Sequence, residues 1–279
     1  MFQTVDVAAI SFLPEKFALA GNADRLEALF RDAAKGGAKL AVAPEGILEG
    51  YVVNQIVGGT ARPEDMNEVA ITMRGPVIRR FRNLAKELGI CLAFGCAEKI
   101  RKDIFNCAVY VDHTGQLCGK YHKMQLAEGS HRSWWFNRLG KHSRAFNTPY
   151  GRCGFLICND RWNADIARIP VLDGARFLLI PSFGSRSKSQ DFAVLARARE
   201  NGVPIVEANV GVTMVVNKGE IVALSRKQTN ILFATIDIAA TPTPRNRDAH
   251  ERSFLAWRKK EMPKRYAKTM KGISWKEPN

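Results

Sequence analysis

The chain has 279 residues and a mass of 31.1 kDa, with 46% hydrophobic and 25% charged residues, enough to bury a sizeable core and too apolar for a largely disordered chain. No apolar run approaches the roughly 20 residues of a membrane-spanning helix, and the start lacks the basic-then-apolar pattern of a secretory signal. Six cysteines, with C-x4-C but no C-x2-C spacing, exclude a disulfide scaffold and a zinc ribbon and point to a cytoplasmic protein with reduced thiols.

In chain order, residues 4–12 alternate and then become continuously apolar, as a strand does. Asn22 opens a helix carrying Leu26, Leu29 and Phe30, stopped by Gly36-Gly37, and residues 39–43 form a short buried strand that ends at Pro44-Glu45. The cycle repeats with a helix over 76–88, a stop at Gly89 and a strand over 90–97. Strands over 104–111 and 116–123 flank a turn at Asp112-His113-Thr114-Gly115. A strand over 155–157, a helix over 164–172, a strand over 177–181, a helix over 190–200 and a strand over 204–208 follow. A hairpin around Lys218-Gly219 and a last strand over 231–236 close the pattern. Strands alternating with helices, plus hairpins, give an α/β domain with mixed sheets.

The formal charge is +15, and it is unevenly spread. From Arg245 to the end there are eleven basic and four acidic residues, a net of +7, so about half the excess sits in the last eighth of the chain. The proline pair in Thr241-Pro242-Thr243-Pro244 marks the expected boundary between a domain over 1–244 and a basic extension over 245–279. Phe254, Leu255, Trp257, Met262 and Tyr266 interrupt the charges, so the extension is expected to pack rather than float. A catalytically silent scaffold recruited to nucleic acid by this tail is the competing reading, and nucleic acid is disfavoured.

Three reactive residues fall at the carboxyl ends of strands, where α/β sheets bind ligands: Glu45, Lys123 and Cys158. Each alone is ordinary, a solvated charge or a small apolar thiol. Together they supply a nucleophile, a base to take its proton, and a cation for the oxyanion that attack on a carbonyl or nitrile creates. The backbone N–H of Asn159 is a second candidate donor to that oxyanion. No phosphate-binding glycine loop and no histidine cluster with metal spacing occurs, so neither cofactor nor metal is expected.

The blocks Pro44-Glu45-Gly46 with Gly50-Tyr51, Gly119-Lys120-Tyr121-His122-Lys123-Met124 and Leu156-Ile157-Cys158-Asn159-Asp160-Arg161 resemble the three signature blocks of the nitrilase superfamily of carbon–nitrogen hydrolases. Phe105-Asn106, Ala198-Arg199-Glu200-Asn201 and Ala208-Asn209-Val210-Gly211 agree in order, so the resemblance covers about residues 4–240. It implies a four-layer αββα sandwich with two mixed sheets packed face to face, a Glu45–Lys123–Cys158 triad, and a homodimer or higher homo-oligomer in which the 245–279 extension packs across a neighbouring subunit. A second supporting glutamate is common in the family, and Glu128 is the nearest candidate, with Tyr51 beside the first block; Gln125 stands where the family often has His.

The Cys158-Asn159-Asp160-Arg161-Trp162 run is similar to N-carbamoyl amino acid amidohydrolases, where arginine after the nucleophile grips a substrate carboxylate. Arg161 therefore either binds substrate or pairs with an acid of the protein. Trp162, Arg186 in the serine-rich loop 182–189, and Trp134 in Ser130-His131-Arg132-Ser133-Trp134-Trp135-Phe136 complete the candidate substrate contacts. The expected activity is hydrolysis of an amide or N-carbamoyl group of a small polar substrate through a cysteine thioester, releasing ammonia. Nitrile hydrolysis and amine-directed acyl transfer are the alternatives at the same triad.

Overall fold

The computed structural model describes residues 2–131, 133–239 and 247–267. Its first half runs β1 (Phe2–Ser11), α1 (Leu19–Lys35), β2 (Leu40–Val42), the short helices α2 (Val53–Val57) and α3 (Met66–Val69), α4 (Pro76–Leu88), β3 (Cys91–Ile100), β4 (Asp103–Val111) and β5 (Leu117–His122). The second half runs β6 (Phe146–Thr148), β7 (Gly151–Phe155), α5 (Ala164–Leu172), β8 (Phe177–Ser182), α6 (Lys188–Asn201), β9 (Ile205–Asn209), β10 (Val212–Asn217), β11 (Glu220–Ser225) and β12 (Asn230–Ala239), followed by α7 (Arg247–Tyr266).

Two six-stranded mixed sheets result, ordered β12-β1-β2-β3-β4-β5 and β11-β10-β9-β8-β7-β6. In each, three central strands are parallel, β1-β2-β3 and β7-β8-β9, and antiparallel strands finish the edges. Side-chain alternation assigns the layers. Val5, Val7 and Ala9 of β1 join Phe155, Phe177 and Val206 of the other sheet in one core, whereas Ala8 and Ile10 turn outward onto Leu26, Phe30, Ile78 and Phe81 of α1 and α4. Helices α5 and α6 cover the far side through Ile166, Ile169 and Val194. The molecule is the αββα sandwich that the motifs imply.

Local chemistry explains the boundaries. Pro76 sits in the first turn of α4, where its missing N–H costs nothing, and Gly89 ends the helix at φ 66°, a left-handed cap that other residues adopt at a cost. Asn163 caps α5 by accepting from the N–H of Asp165.

The end of the chain packs on its own domain. Within this chain α7 lies against its own α5, with Phe254 in the main core and Arg258, Met262 and Tyr266 buried. Glu251 pairs with Arg144, and Arg247 with Asp173. The expected boundary at Thr241–Pro244 and the segment after 267 lie outside the described residues. Among the described residues, no helix is long and apolar enough to cross a membrane.

Candidate active site

Glu45 leaves the end of β2 beside β3, and the close approach depends on Gly95. A Cβ there would lie 2.5 Å from the Glu45 Cα, so only glycine admits this backbone. The Gly95 N–H donates to the Pro44 carbonyl at 3.0 Å, fixing the strand end. The Glu45 side chain is fully buried, a placement that requires partners. It has three: Oε1 accepts from Lys123 Nζ at 2.6 Å and from Asn106 Nδ2 at 2.6 Å, and Oε2 accepts from the Phe183 N–H at 3.0 Å.

Lys123 follows β5, with its N–H on the Asn106 carbonyl and its own carbonyl accepting from Gly140. Burial works to lower the affinity of its amine for a proton, but Glu45, Cys158 and Glu128 outweigh it and hold the ammonium charged far beyond neutrality. Glu128 accepts from Asn137 Nδ2 at 2.6 Å and from the Tyr51 hydroxyl at 3.3 Å. Burial raises its carboxyl above the usual range against the pull of Lys123. Tyr51 stacks on Phe183 at 4.8 Å, and the Lys123 ammonium lies 5.8 Å from the Tyr51 ring centre.

Cys158 comes from the other sheet, just past β7, at the first position of a 3-10 turn over Cys158–Trp162. Its φ is 44°, in the left-handed region that strains a residue with a side chain. The thiol is partly buried and points to the Phe183 carbonyl oxygen, 3.7 Å away. Burial and then Glu45 push the thiol pKa up, while Lys123 and Arg161 pull it back. The resting sulfur is thus a thiol that needs a base.

Asp160 ties the two strand ends together. One of its oxygens accepts from Tyr121 Oη at 2.8 Å and the Ile157 N–H at 2.9 Å, the other from the Gln125 N–H at 2.8 Å. The sequence flagged Asp160 and Asn106 only as parts of blocks. Their connections depend on strands far apart in the chain, and spacing cannot show them. The Phe183 amide carries no sequence signal, because any residue supplies an N–H.

The expected substrate contacts separate. Trp134 is partly buried and joins Phe136, Tyr51 and Phe183 in one aromatic cluster. Trp162 is 43% exposed, and Arg186 is exposed with its guanidinium over Gly211. Asn159 is buried and follows Cys158 directly in the turn. Arg161 lies deepest. It is 1% exposed, and its guanidinium is bonded to Glu207, Ser182 and the Cys158 carbonyl. The alternative left open by the sequence, an acid of the protein, is what it meets.

A second cluster lies on the other face of β5. Glu98, Cys107 and His122 bring one ligand atom each within 4.8 Å of one another. Glu98 already receives Lys120 at 2.8 Å and His122 at 2.5 Å, and Phe105 stacks on His122. Consecutive residues of a strand face opposite ways, so His122 turns from the side on which Lys123 meets Glu45.

The family model described as carbon-nitrogen hydrolase matches residues 6–244. An N-carbamoylputrescine amidase of Oryza sativa subsp. japonica is 30% identical over 215 residues, which are 76% of this chain and 68% of that protein. A citrullinase of Francisella tularensis is 26% identical over 252 residues, 79% of this chain and 85% of that protein. A crystal structure of an amidase from Nesterenkonia sp. aligns with a TM-score of 0.71 at 21% identity, covering 90% of this chain and 96% of that one, a likeness of fold.

Proposed function

The chain belongs to the carbon–nitrogen hydrolase family, and on that premise we propose that Cys158, Glu45 and Lys123 carry its chemistry. It is a cysteine-dependent hydrolase of non-peptide C–N bonds. The substrate class proposed is the N-carbamoyl group, or else the simple amide, of a small polar molecule; the amidase and citrullinase names of its relatives favour the first.

The steps follow from the groups present. Glu45 takes the Cys158 proton as sulfur attacks the carbonyl carbon. The negative oxygen meets the Lys123 ammonium and the Asn159 N–H. Protonated Glu45 returns its proton to the departing nitrogen, leaving a thioester or its carbamoyl equivalent on sulfur. Glu45 then draws a proton from water, which cleaves the acyl group from Cys158. An amide yields ammonia and an acid; an N-carbamoyl amine yields ammonia, carbon dioxide and the amine. Glu128 and Tyr51 brace Lys123. Trp134 contributes to an apolar wall, and Trp162 and Arg186 meet the outward part of the substrate. A cytoplasmic homodimer, with the exposed face of α7 against the second copy, is the setting we propose.

The observation that carries this reading is the Glu45 carboxylate, buried and oriented by Lys123 at 2.6 Å and the Phe183 amide at 3.0 Å, with the Cys158 thiol directed at the same residue's carbonyl. Intact-mass measurement with amides, N-carbamoyl amines and nitriles tests it. Wild type should form a substrate-derived adduct on Cys158 and release ammonia, Glu45→Gln should lose both because acylation itself needs the carboxylate, and Cys158→Ala should neither form the adduct nor release ammonia. Ammonia release retained by Cys158→Ala would overturn the assignment.

A further inference from the structure

We propose that Arg161, braced by Glu207, is a positioning residue that holds the Cys158 elbow, and that the site selects its substrates without an arginine grip on a carboxylate. The inference rests on Cys158 being the nucleophile. Cys158 occupies a left-handed conformation at φ 44°, which persists only where its surroundings hold it. On one side Asp160 accepts the N–H of the preceding residue, Ile157. On the other, Arg161 Nε donates to the Cys158 carbonyl at 2.6 Å, and among the described residues this is the side-chain bond on that carbonyl.

The guanidinium is fixed in its turn. One terminal nitrogen pairs with Glu207 of β9, and the other donates to Ser182 Oγ at 3.0 Å. Ser182 Oγ and Gln190 Nε2 both donate to the same Glu207 oxygen, at 3.1 and 3.2 Å. Arg161 and Glu207 are 1% and 0% exposed, so this charge is spent inside the protein. Ser182 directly precedes Phe183, whose N–H serves Glu45 and whose carbonyl receives the Cys158 thiol. The same unit thus sets the carbonyl of the nucleophile and the segment that joins nucleophile to base. Lysine has no counterpart of Nε and cannot span these three partners, whereas at a substrate grip the same change would lose the bidentate fork and weaken carboxylate-bearing substrates alone.

The position and charge of Arg161 have separable readouts. Arg161→Lys keeps a cation opposite Glu207 and loses the bond to the Cys158 carbonyl. We expect kcat to fall about 10- to 100-fold alike for a carboxylate-bearing N-carbamoyl amino acid and for an uncharged N-carbamoyl amine, with KM within about threefold. Alkylation of Cys158 by iodoacetamide, which needs no turnover, should slow by a similar factor across the pH range. In Glu207→Gln the arginine charge beside the sulfur is no longer offset, so the alkylation profile should move to lower pH; an unmoved midpoint would mark Glu207 as packing only and overturn its part. A KM rise confined to the carboxylated substrate, with alkylation unchanged, would overturn the proposal. Should Arg161→Lys not fold, Ser182→Ala removes one of the braces, and an unchanged kcat and alkylation rate there would overturn it equally. Wild-type protein that turns over while Cys158 is fully alkylated would instead sink the nucleophile assignment.

Discussion

Two buried ion pairs flank Cys158, and they are made of different cations. Lys123 meets Glu45 at the end of the first sheet, and Arg161 meets Glu207 inside the second. All four side chains are at most 2% exposed. The lysine is a compact charge on a flexible stem, suited to a site where charge appears and disappears. Its carboxylate partner receives three protein donors, which leaves one lone-pair direction of roughly four for a proton. The arginine fork is divided among a carboxylate, a hydroxyl and a main-chain carbonyl, and a guanidinium does not give up its proton. Burial of charge therefore does not by itself mark the reacting group. What separates the two is place: Glu45 is held by the N–H of Phe183, whose carbonyl receives the Cys158 thiol, whereas Glu207 faces Arg161, Ser182 and Gln190, protein groups that keep their protons.

The comparison breaks first at Lys123. Lys123→Met leaves Glu45 buried without a cation and the oxyanion without its charge. We expect kcat/KM to fall at least about 10³-fold and stability by about 3–5 kcal/mol, read from steady-state kinetics and urea unfolding. Arg161→Met should cost a similar stability, since it strands Glu207 in the same way. Joining it with Glu207→Leu makes the pair apolar and should restore stability to within about 2 kcal/mol of the wild type, while kcat stays depressed. Recovery of rate together with stability would mean that the second pair holds the fold and not the elbow.

How much of this the sequence disclosed depends on the distance over which a residue acts. Gly89 and the apolar spacing of Ile78, Phe81, Leu84 and Ala85 specify α4 locally, and that helix appears with the bounds expected. Glu45, Lys123 and Cys158 were visible as reactive types at strand ends. Glu207 was not, because an acid within the strand run Ile205–Asn209 acquires meaning only when Arg161, 46 positions earlier, folds against it. Gly95 is equally silent until β2 lies beside β3. In α7 the signal was present: Phe254, Arg258, Met262 and Tyr266 recur every four residues, one helical face. What periodicity cannot supply is the partner, because a stripe at helical spacing fits α5 of the same chain as well as a second copy.

A third carboxylate sharpens the contrast. Glu49 is buried near Glu45, accepts the Ala97 N–H at 3.0 Å, and has no cation in direct contact among the described residues. Burial raises its pKa to about 7. A carboxyl whose folded pKa lies above its unfolded value favours the fold at acid pH, and that contribution is lost as pH rises from about 4.5 through about 7. The loss is on the order of 3 kcal/mol. Thermal unfolding of Glu49→Gln should lack this part of the slope between those pH values, so that the variant gains on the wild type as pH rises. Parallel Tm profiles would show that Glu49 titrates alike in both states.

The smallest effect belongs to the outer brace. Arg258 Nη1 donates to the carbonyls of Met124 and Gly140, each at 3.0 Å, and the Tyr266 hydroxyl donates to the Leu126 carbonyl. Helix α7 thereby holds the segment that follows Lys123, two steps removed from the reacting atoms. Tyr266→Phe deletes one donor and keeps the ring, so about 1 kcal/mol of stability should go. Lys123 itself remains anchored through the Asn106 carbonyl and the Gly140 N–H, so kcat should stay within about twofold. A tenfold loss of kcat at unchanged Tm would mean that α7 tunes the lysine directly, and the boundary between reacting and bracing charge would have to be drawn farther out.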